Sequence, residues 1–378
     1  MQRPQRLIVL APTPPPVFGH SVLTLSVLGS LRRLGLLAAH VDTRDDRSLS
    51  NLNRLDLENV RLGLLAAWRL LLLMRRHPDA GVYVQISQGR WGFIRDALWI
   101  RLASAAGRPV YIHLLGGRFH EFHAESGAPM RRLITSTIRR ARECWVLTPS
   151  LRRCFHGIAE PERVAVLGCK VADPMEGWDR AEDDRNGGAG GRPRILFLSN
   201  LRPGKGHDEL LAAMAALGER AAGWRLRLVG EHDAETAQRV RGWIEARPEP
   251  GLEVELLGSR TGAGKAEQLA WADVFAFPTR YRNEGQPLVV LEAMASGLAI
   301  VATRHRGIPD TVRDGREALL VGTGDVSALA EALELLAGDP ELRESLGRAA
   351  RARYEERFVP ERLDDELLEL LGGAPATA

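Results

Sequence analysis

The stretch Phe277-Pro278-Thr279-Arg280-Tyr281-Arg282-Asn283-Glu284-Gly285-Gln286-Pro287-Leu288-Val289-Val290-Leu291-Glu292-Ala293-Met294-Ala295-Ser296-Gly297 decides how this chain is read. An apolar run, Val274 to Phe277, ends at Pro278, and a polar loop follows. Pro287 then sits where a first-turn proline opens a helix, and Gly297 where a glycine closes one. That helix is apolar almost all round, which predicts burial, and a carboxylate at Glu292 in such surroundings needs a polar partner. Helical side chains lean toward the N-terminus, so Glu292 points back toward the loop that holds Glu284. Two carboxylates therefore converge with the free amides of Gly285, Gln286 and Leu288 around Pro287. Amides at a helix start attract phosphate, and carboxylates accept from sugar hydroxyls. A sugar attached to a diphosphate suits the combination.

Outward from this stretch, short aliphatic runs alternate with helical patterns, which is the signature of parallel sheets built from βαβ units. In the first half, strands are predicted near Arg6 to Ala11, Gly81 to Ile86, Val110 to Leu114, Cys144 to Leu147 and Val164 to Leu167. Helices lie between them around Ser21 to Leu34, Val60 to His77, Phe93 to Ala105 and Pro129 to Arg142. From Glu176 the pattern stops in an acidic and glycine-rich segment that reads as a linker. It restarts with Arg194 to Leu198, then strands at Arg225 to Val229, Glu253 to Leu256, Val274 to Phe277 and Ala299 to Val301. The helices predicted between these are His207 to Leu217, Ala234 to Ala246, Ala266 to Ala272 and Pro287 to Ser296. Two charged helices, Glu341 to Phe358 and Pro360 to Leu371, close the chain. The fold class is α/β with two Rossmann-like, doubly wound domains. Residues 1–175 form the first domain, 176–193 the linker and 194–355 the second. Residues 356–378 form a last helix expected to pack back toward the first domain. Ligands of two such sheets bind in a cleft at the carboxyl ends of the strands.

Bulk properties exclude other classes. A chain of 378 residues with 45% apolar and 26% charged residues suits two ordinary globular domains, and a formal charge of +3 is too small to argue for nucleic acid. No apolar run reaches the roughly 20 residues of a bilayer span, and no cleavable leader is read at the N-terminus. The three cysteines, Cys144, Cys154 and Cys169, have no metal spacing, and a cytoplasmic protein with reduced thiols is expected. Arg131, Arg132, Arg139, Arg140 and Arg142 crowd one helix, and Arg75 and Arg76 end another. Such helices suit peripheral contact with anionic lipid at the inner face of a membrane, although a solvated face is the commoner role of an Arg-rich helix.

The run Glu284-Gly285-x-Pro287-Leu288-x-x-x-Glu292-Ala293-Met294-Ala295-x-Gly297, followed by Ala299-Ile300-Val301-Ala302-Thr303 and Gly307-Ile308-Pro309-Asp310, resembles the E-x7-E signature of family 4 (GT-B fold) retaining glycosyltransferases, the glycosyl transferases group 1 type. The resemblance implies a nucleotide-diphosphate sugar donor and a sugar, lipid-linked or small-molecule acceptor bearing a hydroxyl, in glycan, glycolipid or polysaccharide biosynthesis. It implies that Glu292 holds the ribose hydroxyls and that Glu284 contacts the donor sugar. In Ser199-Asn200-Leu201-Arg202-Pro203-Gly204-Lys205-Gly206, Lys205 matches the family's lysine. Asn200 stands where the family has arginine, and Arg202 offers a replacement charge. The loop Pro12 to Ser21, with Gly19 and His20, resembles the family's glycine-rich loop. His113, with His120 as second choice, resembles its histidine near the sugar. Strand ends near Gly230 are assigned to the nucleobase. No metal and no cofactor are expected, because no Asp-x-Asp pair lies in a strand-end loop and His113, His120 and His123 have no ligand spacing. The alternatives are a sugar-nucleotide epimerase on the same fold and a non-catalytic nucleotide-sugar-binding protein.

Overall fold

A computed structural model describes residues 5–15, 19–44, 56–177, 192–246 and 251–372. The chain divides into two compact units, Met1–Lys170 with Pro360–Ala378, and Val171–Val359.

The first unit runs β1 (Leu7–Ala11), α1 (Gly19–Arg33), β2 (Leu37–Asp42), α2 (Leu57–Arg76), β3 (Gly81–Ile86), α3 (Arg90–Ala105), β4 (Val110–Leu114), α4 (Phe119–Glu125), α5 (Ala128–Ile138), β5 (Glu143–Val146) and β6 (Val164–Val166). Its strands pair in parallel in the order β2-β1-β3-β4-β5-β6. β1, β3 and β4 are buried at every residue, as central parallel strands covered on both faces must be. The edge strand β2 is half-buried at most of its positions.

The second unit continues with β7 (Arg194–Leu198), α6 (His207–Leu217), β8 (Arg225–Val229), α7 (Ala234–Glu245), β9 (Glu253–Leu257), α8 (Ala263–Trp271), β10 (Val274–Phe277), α9 (Leu288–Ala295), β11 (Ala299–Thr303), α10 (Ile308–Thr311), β12 (Leu319–Val321), α11 (Val326–Gly338) and α12 (Pro340–Arg357). Its parallel sheet has the order β12-β11-β10-β7-β8-β9. Counted from β7 this is the 3-2-1-4-5-6 order of a Rossmann sheet, which reverses direction between β7 and β10. The last helix, α13 (Pro360–Leu370), belongs to the first unit, where Asp364 pairs with Arg33 of α1 at 2.8 Å and Glu366 with Lys170 at 2.8 Å.

Where the sequence reading ends the first domain at residue 175, the structure divides the chain at Lys170. The reason lies in α12: the Val171 amide donates to the Phe358 carbonyl, the Tyr354 hydroxyl donates to the Val171 carbonyl, and Arg351 pairs with Asp173. Residues 171 to 173 are thereby part of the second unit. The linker expected over 176–193 lies largely outside the described residues.

Candidate functional site

The switch point between β7 and β10 brings together the loops that follow them, residues 199–206 and 278–287. Glycine makes the approach close enough. A Cβ on Gly206, whose φ is 105°, would lie 2.6 Å from the carbonyl carbon and oxygen of Pro278. The Arg280 amide donates to the Gly204 carbonyl at 2.8 Å, and the Thr279 hydroxyl lies 3.2 Å from the same oxygen. Gly230 plays the matching part at the end of β8, since a Cβ there would sit 1.8 Å from the Ser199 carbonyl oxygen. The loop after β8 is thus pressed against the Ser199-Asn200 backbone, and the Leu201 amide donates to the Glu231 carbonyl at 2.8 Å.

Onto this frame the sequence projects two lysine–glutamate pairs. Lys205 Nζ donates to Glu284 Oε2 at 2.8 Å, and it lies 4.4 Å from the centre of the Tyr281 ring and 5.9 Å from that of Phe277. Glu284 is buried, and the Thr279 hydroxyl is 3.3 Å from the same carboxylate oxygen. The cation is therefore held between a carboxylate and aromatic faces. The second pair joins Glu292 of α9 to Lys265 of α8, with Nζ 2.5 Å from Oε1. The partner that burial of Glu292 demanded is thus a lysine to which the sequence reading gave no part. Nothing in the spacing identifies it, because α8 reaches α9 only through the packing of the sheet.

The helix starts at this site are uncapped. Asp233, Asp325 and Asp339 each accept a hydrogen bond from the first turn of α7, α11 or α12, whereas Gly206 and Pro287 leave α6 and α9 without a side-chain cap. Among the described residues, the amides of Gly285 and Leu288 have no acceptor. The loop is anchored around them. The Gly307 amide donates to the Gly285 carbonyl, buried Gln286 donates to the Thr311 hydroxyl at 3.3 Å, and His305 Nε2 donates to the Tyr281 carbonyl at 2.9 Å. Arg202 is exposed with no side-chain partner among the described residues, and Asn200 is half-buried.

In the first unit the sequence order is overturned at His113. This residue is fully buried, its Nε2 donates to the Leu167 carbonyl at 3.1 Å, and its Nδ1 accepts from the Tyr83 hydroxyl at 2.8 Å. A carbonyl can only accept, which fixes the ring proton on Nε2. Burial pushes its pKa down to about 3, so the ring is neutral and sealed, with both nitrogens spent. It is a satisfied core residue, not a ligand of the sugar. His120, the second choice, lies on α4 with its side chain 38% exposed, 3.8 Å from Cys154 Sγ and 3.9 Å from the Glu121 carboxylate. Gly19 and His20 form the exposed first turn of α1, after β1 and beside the switch between β1 and β3. A Cβ at Gly19 would meet nothing within 4 Å, so the packing of the unit itself does not demand glycine there. Pro16 to Phe18 lie outside the described residues.

Comparison with known proteins adds the family. Residues 192–339 match the model of glycosyl transferases group 1. Over 196 residues the chain is 35% identical to the GDP-mannose-dependent alpha-(1-6)-phosphatidylinositol monomannoside mannosyltransferase of Mycolicibacterium smegmatis, covering 49% of each. Over 188 residues it is 36% identical to the D-inositol 3-phosphate glycosyltransferase of Saccharomonospora viridis, covering 48% of this chain and 43% of that one. The chain thus spans about half the length of the curated relatives it matches. Solved structures match nearly end to end. Sucrose-phosphate synthase from Thermosynechococcus elongatus superposes with a TM-score of 0.75 at 16% identity, covering 97% of this chain and 98% of that one. Anabaena HepE in complex with UDP and glucose gives 0.70 at 16%, with 97% and 99% covered. At these identities the likeness is one of fold. The chain has the GT-B fold of these structures, and its segment 192–339 matches the glycosyl transferases group 1 model.

Proposed function

We propose that this protein is a retaining glycosyltransferase that moves a sugar from a nucleotide-diphosphate sugar to a hydroxyl acceptor without a metal. The observation that carries the reading is the Lys205–Glu284 pair set at the sheet's switch point beside the uncapped start of α9. A cation and free amides suit a diphosphate, while two buried carboxylates suit hydroxyls. On this reading Glu292 accepts from the ribose and Glu284 from the donor sugar. Lys205, Arg202 and the amides of Gly285 and Leu288 stabilise the charge that grows on the departing diphosphate. Asn200 and Gln286 shape the loops on either side of it, and Gly230 lets the base approach the end of β8.

In the reaction the bond from the sugar's anomeric carbon to the diphosphate breaks, and its electron pair leaves with the phosphate. The acceptor oxygen bonds to the same face, and its proton passes to the departing phosphate oxygen. No protein carboxylate then has to act as base. In the first unit His120 replaces His113 as the histidine that faces the acceptor, with Gly19 and His20 serving from the first turn of α1. The two relatives are named for transfer to a phosphatidylinositol mannoside and to inositol 3-phosphate, which supports a polyol hydroxyl as acceptor.

Thermal shift against nucleoside diphosphates and their sugars identifies the donor, because a ligand of the folded state raises the unfolding temperature. With that donor, the anomeric configuration of the product is read by proton NMR, and EDTA leaves the rate unchanged. Arg202→Ala changes stability by less than ~0.5 kcal/mol, as expected for an exposed side chain without partners, and lowers turnover. An inverted anomer, or a donor-bound protein in which Lys205→Ala and Arg202→Ala both turn over at the parental rate, refutes the proposal.

A further inference from the structure

α2 is built inside out. Its buried face is made of Gly63, Ala66, Ala67, Leu70 and Met74, so that three of five inward positions are small. The large side chains Leu57, Leu64, Trp68 and Leu71 point to solvent, with exposures of 91%, 57%, 58% and 40%. With Val60 they recur at intervals of three and four, which places them on one face of the helix over roughly 20 Å. Of nine exposed large apolar side chains among the described residues, these five lie on α2 and two more, Ile94 and Leu98, on α3. The two helices pack directly. The Trp99 indole donates to the Gly63 carbonyl at 3.0 Å, and the space where a Gly63 Cβ would stand is 3.1 Å from Arg95 Cγ. An apolar face of this kind on a folded unit marks a docking surface, since scattered single residues would not concentrate on one helix pair.

Charge selects the occupant. α2 carries four arginines against one glutamate, and that glutamate, Glu58, is already bound to Arg61 at 2.6 Å. Arg69, Arg75 and Arg76 are exposed and have no side-chain partner among the described residues. A second copy of the chain would bring the same excess of positive charge to the contact, whereas an anionic bilayer is complementary to it in both apolar and electrostatic terms. Trp68 in the middle of the stripe is the side chain best suited to the headgroup boundary. No helix among the described residues is long and apolar enough to cross a membrane, so α2 lies on the surface and does not span it. We propose that the Leu57–Leu71 face of α2, with Ile94 and Leu98 of α3, docks the protein on an anionic lipid surface.

Co-sedimentation of the full chain tests it, with vesicles of phosphatidylcholine alone and of phosphatidylcholine mixed equally with phosphatidylglycerol. The parent binds the mixed vesicles and is released as salt screens the arginines. Leu64→Ser with Trp68→Ser lowers the partition at least about tenfold. Neutralising Arg69, Arg75 and Arg76 as Gln lowers it roughly fivefold per arginine. Leu335→Ser, which removes an equally exposed leucine from α11, changes nothing. All substituted positions are exposed, so unfolding temperatures and nucleotide-induced shifts stay at parental values. The proposal is overturned if the parent stays in the supernatant with the mixed vesicles, or if the Leu64 and Trp68 variant sediments like the parent. It is also overturned if light scattering shows a dimer that this variant splits while neither form binds vesicles, which would make the face a contact between copies.

Discussion

Replacing Lys265 by Met tests the part of the site that no spacing foretold. Glu292 is only 8% exposed, and its ion pair with Lys265 is the contact that satisfies its charge at Oε1. Deleting the lysine strands a buried carboxylate, at a cost of about 1–3 kcal/mol. For a unit of this size that lowers the unfolding temperature by roughly 2–10 °C. The reverse change, Glu292→Gln, strands only an ammonium whose side chain is 29% exposed and can take up water, so it costs less than ~1 kcal/mol. The double variant should therefore be more stable than Lys265→Met alone, a coupling of opposite sign to simple additivity. Nucleotide adds a second readout. If ribose hydroxyls donate to Glu292, they supply the donors that the missing lysine took away, and the ligand-induced rise in unfolding temperature is larger for Lys265→Met than for the parent. Thermal unfolding of the four proteins, with and without the nucleoside diphosphate that binds, measures all of this. Equal losses for the two single variants, or a smaller ligand-induced rise in Lys265→Met, would show that Glu292 is not held as described.

His113 ties stability to pH. Buried and neutral, it takes a proton in the folded state only near pH 3, while the unfolded chain takes one near 6.5, so the unfolded state binds more protons in between. Its contribution is complete above pH 6.5 and falls by about 1.4 kcal/mol per unit as the pH drops toward 3. The stability difference between the parent and His113→Gln, followed by denaturant unfolding, should accordingly shrink from pH 7.5 to 5; a constant difference contradicts the assignment. Gly206→Ala sets a Cβ 2.6 Å from the Pro278 carbonyl at a φ of 105° and should cost more than ~2 kcal/mol. Gly204→Ala, with its nearest atom at 3.5 Å, pays only the backbone strain of about 1 kcal/mol. Calorimetry that finds the two equal removes close approach as the reason for Gly206.

The central strands were legible because residues buried on both faces read as unbroken apolar runs, Leu7–Ala11 and the Ile195 to Leu198 part of β7 among them. β2 escaped, since Leu37–Asp42 is an alanine-containing edge strand with one fully buried residue and a composition that favours no state. β12 is three residues long, too short for any period to register. α11 was missed despite a capping Asp325 and buried positions at Leu329, Leu333 and Leu336, a pattern that a longer window would have caught. At the site, Glu284 and Glu292 were visible from their order along one strand-loop-helix segment, and Lys205 from the glycine-flanked loop after β7. Their pairing was not, because Lys205 and Glu284 are 79 residues apart and meet only where the sheet reverses. For His113, a histidine at a strand end has the same local sequence whether it faces a ligand or a Tyr hydroxyl. The partners that decide the matter, Tyr83 and Leu167, come from β3 and the segment after β6.

The unit that begins first is completed last. Just before β1 the Gln5 amide donates to the Leu371 carbonyl, and Arg33 of α1 waits for Asp364, 331 residues away. During synthesis the second unit, continuous in sequence, can form its whole sheet while α1 still lacks the helix that covers it. The ribosome thus hands the cell a chain whose early part stays open until α13 emerges, and contacts of such long range are the slowest to close. Any arrest of translation between the two units' ends would leave a folded second unit attached to a first unit with an exposed seam along α1.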